Sequence, residues 1–284
     1  MAYQRTDKIE VFSTNGPLLT LAVANGFTPE TYKPMLAPLI AKYHVISLLP
    51  RALWGDELPP QQLHSWKAML AQDMAEIIQA NDLRAIIGVG HSFGAIGTLL
   101  TAIALPDRFK ALVLLDPTIL PRPALWMIRL AQVFKLQNPF AKRAEIRRFR
   151  FDTVDDAFTY FRPKQLFHDW SDEVLHLYAQ SLKPHPDGGL QLRWPREWEA
   201  YYFRTMYKGI WRELPKLRET GLPTLILRGG DSDTLKDSVA SKVQEMAPNV
   251  TYREVAGHGH LFPHTVPVQT GALIMSWLDD LQMV

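Results

Sequence analysis

Gly90-His91-Ser92-Phe93-Gly94 sets a serine in a G-x-S-x-G frame. A serine hydroxyl is a weak nucleophile until a base stands beside it. Ala85 to Val89 reads as an apolar strand before the serine and Ala95 to Ala104 as a helix after it. A serine at a sharp strand-to-helix turn has its Oγ exposed at the positive end of the helix dipole. The plain alternative is a structural turn in which Ser92 only caps the helix. The strand–turn–helix context favours the nucleophile.

An activated serine needs a base, an acid to orient it, and donors for the developing oxyanion. Gly257-His258-Gly259-His260 follows the strand Thr251 to Val255 and offers two imidazoles, which titrate near neutral pH. His258, His260 and His264 together also admit a metal reading. They lack the H-E-x-x-H spacing and a carboxylate partner, so no metal site is expected. Carboxylates occur at Asp231 and Asp233, after the strand Thr224 to Leu227, and at Asp116, which also suits a turn before Pro117. The oxyanion donors are expected to be the backbone N–H groups of Phe93 and of Phe27, after Gly26.

Positioning these groups requires a framework. Short apolar strands alternate with amphipathic helices: Leu18 to Ala24, Pro29 to Tyr43, His44 to Leu49, Ala111 to Leu115, Asp237 to Met246 and a last helix through Trp277. Such alternation implies an α/β protein with a mostly parallel sheet flanked by helices. From Pro117 to Thr220 no central strand is predicted. Helical stretches at 125–135, 154–161, 173–182 and 197–207 are separated by proline and glycine loops there. That stretch holds 18 of the 30 aromatic residues in little more than a third of the length, which marks an insertion. The expected division is a core of residues 1–116 and 221–284 and a helical cap of residues 117–220.

The chain has 284 residues, enough for a large core without covalent staples. There is no cysteine, so thiolate chemistry, disulfides and thiolate metal sites are excluded. A formal charge of +2 gives no reason to expect nucleic acid. Lys142, Arg143, Arg147, Arg148 and Arg150 read as a solvated helix face. No signal peptide or membrane span is expected, and the cytoplasm is the expected compartment.

Ala24-Asn25-Gly26-Phe27 with Thr31-Tyr32-Lys33-Pro34, Gly88-Val89-Gly90-His91-Ser92, and Leu227-Arg228-Gly229 with Ser232-Asp233 together resemble the α/β-hydrolase superfamily, in particular a group of bacterial capped α/β hydrolases. The resemblance spans essentially the whole chain. It implies an α/β-hydrolase fold with an eight-stranded sheet, a helical cap after the sixth strand, and the chain order serine, acid, histidine. It selects His260 as base over His258. For the acid it points to Asp233, with Asp231 and then Asp116 as alternatives. No cofactor is implied. Ser92 argues against haloalkane dehalogenase or epoxide hydrolase chemistry, for which the superfamily places a carboxylate there.

The expected reaction is hydrolysis of a carboxylic ester with an apolar or aromatic acyl group, through an acyl-enzyme. The same residues would serve a carbon–carbon bond hydrolase, a lactonase or a cofactor-free perhydrolase. A non-catalytic ligand-binding protein on the same fold is the alternative from another class.

Overall fold

The computed structural model describes residues 8–55 and 57–283. Seven strands form the central sheet: β1 (Ile9–Val11), β2 (Leu18–Ala22), β3 (His44–Leu48), β4 (Ile86–His91), β5 (Phe109–Leu115), and, after the insertion, Thr224–Gly229 and Val250–Val255. β3, β4 and Thr224–Gly229 are buried along their whole length. That is why their sequences are mainly apolar rather than strictly alternating: helices cover both faces of a parallel sheet. Only β1 runs antiparallel, pairing with β3 at the edge. The described residues supply seven central strands where eight were expected.

The helices before the insertion are α1 (Lys33–Ile40), α2 (Gln72–Ala80) and α3 (Phe93–Ala104). The chain runs from β2 outward to β3, then returns past β2 to β4 and continues to β5. Right-handed crossovers therefore put α1 on one face and α2 and α3 on the other. The direction reverses between β2 and β4, and ligands of open α/β sheets lie at such a point, beyond the strand ends. Ser92 follows β4, and the Asn25–Gly26 turn lies just beyond β2.

Residues between Leu115 and Thr224 add no strand to this sheet. They form α4 (Arg122–Val133), α5 (Pro139–Ile146), β6 (Arg150–Phe151), α6 (Val154–Phe161), α7 (Asp172–Gln180), β7 (Lys183–Pro184), β8 (Leu190–Gln191), α8 (Arg196–Arg204) and α9 (Ile210–Thr220). β6, β8 and β7 make a small antiparallel sheet of their own, which the helical expectation lacked. The chain then gives β9 (Thr224–Gly229), α10 (Asp237–Met246), β10 (Val250–Val255), α11 (Phe262–Thr265) and α12 (Pro267–Asp280). α9 packs on α3 and α10, in the layer that covers the sheet, so the part of the insertion apart from that layer is α4 to α8. Side-chain bonds tie α8 to the core: Trp198 Nε1 donates to the Glu57 carbonyl at 2.6 Å, and Trp66 Nε1 to that of Tyr202 at 2.8 Å.

The basic stretch does not form one solvated face. Arg147 turns inward to Glu199 at 2.6 Å and to the Tyr178 hydroxyl at 2.8 Å. Arg148 pairs with Asp156, while Lys142 and Arg143 stay exposed.

Candidate active site

Ser92 sits at the turn from β4 to α3 with φ +56°, a left-handed value that costs a non-glycine residue energy. Close packing holds it there. A Cβ on Gly90 would lie 2.6 Å from Ala95 Cα, and one on Gly94 would lie 2.2 Å from the Ala22 carbonyl oxygen. Both glycines of the pentapeptide are thus required by the approach of α3 to β4 and β2. Ser92 as a whole is buried, with 8% of its surface exposed.

His260 brings Nε2 to 2.8 Å from Ser92 Oγ, and its Nδ1 lies 2.6 Å from Asp116 Oδ2. The carboxylate accepts a hydrogen bond from Nδ1–H, which leaves the Nε2 lone pair facing the serine hydroxyl. Asp116 is fully buried at the end of β5, with φ +41°, a conformation aspartate tolerates better than most residues. Gly229 N–H donates to its Oδ1 at 3.0 Å and the Ser232 hydroxyl to its Oδ2 at 2.5 Å.

This geometry corrects the expectation for the acid. Asp233 is exposed, and its carboxylate accepts from the neighbouring Thr234 hydroxyl at 3.2 Å. Asp231 is exposed as well, its N–H donating to the His258 carbonyl at 2.9 Å. The carboxylate against His260 is Asp116, the third of the sequence alternatives. β5 and β9 are neighbours, with Leu115 opposite Leu227, so either strand end can deliver a carboxylate to the same place. The signal in the sequence was an aspartate at the end of the strand next to the nucleophile's strand.

The histidine cluster separates into distinct environments. His258 Nδ1 lies 3.4 Å from the Thr265 hydroxyl, and His264 Nε2 3.1 Å from Thr31 Oγ1. The His264 ring is stacked on Trp170 at 4.4 Å. Burial, then the neighbouring His260, pulls the His264 imidazole down to about 3.

Sequence reasoning missed a brace behind the site. Tyr32 Oη accepts the Ala24 N–H at 3.0 Å and donates to His91 Nδ1 at 2.7 Å. His91 Nε2 then donates to the His260 carbonyl at 3.1 Å. Burial, followed by His260 and His264, holds the His91 imidazole well below its ordinary value, so it is neutral and can accept at Nδ1. This chain links the loop after β2 to the backbone of His260. Thr118 was missed too; its hydroxyl lies 3.2 Å from Ser92 Oγ.

The two expected oxyanion donors differ. Phe93 begins α3, where N–H groups lack a carbonyl four residues earlier. The Phe27 N–H donates to the Ala24 carbonyl at 3.2 Å across the Asn25–Gly26 turn.

A mostly parallel sheet with a strained serine at its reversal point, a histidine bonded to that serine and a carboxylate bonded to the histidine defines a protein of the α/β-hydrolase class. The chain belongs to the Alpha/beta hydrolase family, whose profile matches residues 21–272. No curated protein matches the sequence. Among solved structures, E-2-(acetamidomethylene)succinate hydrolase is similar with a TM-score of 0.76 and 21% identity, covering 95% of this chain and 94% of that one. MenH from S. aureus is similar at 0.70 and 18% identity, over 97% and 99% of the two chains. A thermophilic esterase from Thermogutta terrifontis is similar at 0.65 and 20%, over 96% and 92%. At these identities the likeness is one of fold.

Proposed function

We propose that this protein is a serine hydrolase that cleaves a carboxylic ester with an apolar acyl group. The observation that carries the reading is the unbroken hydrogen-bond chain from Asp116 through His260 to Ser92, at 2.6 and 2.8 Å. Ser92 Oγ attacks the carbonyl as its proton passes to His260 Nε2. The imidazolium is stabilised by the Asp116 carboxylate, then gives that proton to the departing alkoxide. His260 next takes a proton from water, which attacks the acyl carbon; the acyl–Oγ bond then breaks as His260 Nε2 returns that proton to Ser92 Oγ, releasing the acid and the free serine. The Phe93 N–H binds the oxyanion. The Phe27 N–H joins it when its long turn bond to Ala24 yields to a charged, stronger acceptor.

The cap supplies the acyl pocket in this reading. The Tyr202 ring of α8 lies 4.5 Å from that of Phe93, beside the nucleophile, and the core residue Trp66 meets Phe93 edge-on at 5.1 Å from the other side of the join. The names of two similar structures, a hydrolase and an esterase, support the reaction class without choosing the substrate.

The test is labelling with a fluorophosphonate, followed by ester hydrolysis over graded acyl lengths. Labelling of the parent and none of Ser92→Ala is expected. Labelling that survives in Ser92→Ala would overturn the assignment.

A further inference from the structure

Helix α4 presents a surface that ester hydrolysis does not use. Its inner side is held down: Leu125 is buried, Arg129 donates to the Lys208 carbonyl, and Arg122 lies over the Trp211 ring at 5.3 Å. Its outer side carries Trp126, Met127, Leu130, Val133 and Phe134, which recur at the spacing of one helical stripe. All five are more than half exposed, from 51% for Leu130 to 75% for Val133. Leu136 and Phe140 extend the exposed apolar area beyond the helix end. Single exposed apolar residues are ordinary, but a contiguous stripe with two aromatics marks a contact surface.

Beside the stripe, and sharing Trp126 with it, is a groove of about 490 Å³ with Arg122, Arg129, Lys208 and Arg212 on its walls. No carboxylate among the described residues lines it. The Lys208 ammonium donates to the uncharged Gln132 side chain. Burial and the adjacent Arg129 lower the Lys208 ammonium from its ordinary value, as expected where cations crowd without a counter-charge. The chain from Pro117 to Ala144 holds five basic residues and no acidic one.

We propose that α4 and this groove dock the protein on an anionic lipid bilayer, the stripe entering the headgroup boundary and the groove holding phosphate-bearing headgroups. A helix with an apolar stripe of Trp, Phe and Leu flanked by Arg and Lys has the composition of an interfacial helix. Each cation near an anionic leaflet adds to the attraction. Charge decides against a second copy as occupant, because a two-fold contact sets one patch against its own like-charged image. No helix among the described residues is long and apolar enough to cross a membrane, so the contact is with the surface. The proposal does not depend on the chemistry at Ser92.

The test is co-sedimentation of the full chain with vesicles of phosphatidylcholine, alone or mixed with phosphatidylglycerol. Binding to the mixed vesicles, weakened by salt, is expected, with little binding to phosphatidylcholine alone. Leu130→Asp with Val133→Asp should abolish it, and Arg129→Gln with Arg212→Gln should weaken it about fivefold per cation removed. These side chains are surface-exposed, and an unchanged circular dichroism spectrum with a cooperative thermal unfolding transition shows that each variant is folded. Three results would overturn the proposal: no vesicle binding, equal binding to both compositions, or a parent dimer that the Leu130→Asp, Val133→Asp variant dissolves.

Discussion

The Ser232 hydroxyl donates to Asp116 Oδ2 at 2.5 Å, from the same turn in which the family resemblance places the acid. Gly229, also in that turn, donates its N–H to the other oxygen at 3.0 Å. The end of β9 thus furnishes donors to a carboxylate carried on the neighbouring strand. With His260 as third partner, the buried Asp116 side chain is fixed in one orientation, and charge-assisted bonds of this kind are the strong ones.

Asp116→Asn is expected to lower kcat by roughly 10⁴-fold, because an amide cannot hold the imidazole in the required tautomer. Asp233→Asn should keep near-parent turnover, since Asp233 is exposed and its carboxylate accepts from the neighbouring Thr234 hydroxyl rather than from His260. Steady-state ester hydrolysis by the two folded variants decides between them. Loss of activity in Asp233→Asn with Asp116→Asn active would return the role to Asp233.

The two histidines of the glycine turn should separate as sharply. His260→Ala removes the imidazole bonded to Ser92, and a loss of several orders of magnitude, on the order of 10⁴ to 10⁶ in kcat, is expected. His258→Ala alters a ring whose contact is a 3.4 Å approach to Thr265, and most activity should remain. Comparable losses in both variants would show that the turn rearranges when the protein works.

Acid should destabilise the protein partly through His264. Its imidazole is pulled from 6.5 to about 3 in the folded state, so the folded ring refuses a proton that the unfolded chain accepts. The resulting stability is complete above about pH 6.5 and falls as pH drops toward 3, by up to about 1.4 kcal/mol per pH unit for one ring. His91 acts in the same direction. Urea unfolding across this range should show a shallower pH dependence for His264→Gln than for the parent. Identical slopes would remove His264 from the account.

The cap is expected to rank substrates. Trp198 and Tyr202 are buried at the join between α8 and the core, with Tyr202 against the ring that follows the nucleophile. Trp198→Phe and Tyr202→Leu should shift the preferred acyl chain length while a small fluorophosphonate still labels Ser92. An unchanged ranking with lower stability would make these aromatics packing alone.

Strand and helix alternation, the elbow around Ser92 and the histidine of the last turn were legible in the sequence because each rests on local chemistry. An apolar run buried on both faces, a pentapeptide whose glycines permit close approach, and an imidazole in a glycine turn all announce themselves within a few residues. Helices such as Val154–Phe161 and Asp237–Met246 match their predicted bounds for the same reason. The acid was not local. Asp116, Asp231 and Asp233 all stand at strand ends, and which one meets His260 depends on the lateral order of β5 and β9 and on the left-handed backbone at Asp116. The brace through Tyr32 and His91 joins residues 59 positions apart, and the bond from Ser232 to Asp116 spans 116. Partnerships at such separations are created by the folding of the sheet, and only the tertiary structure decides them. It also decides which aromatics of the insertion are core, as Trp194 and Tyr202 are, and which face outward, as Trp126 and Phe134 do, since burial depends on what packs above a side chain and not on its type.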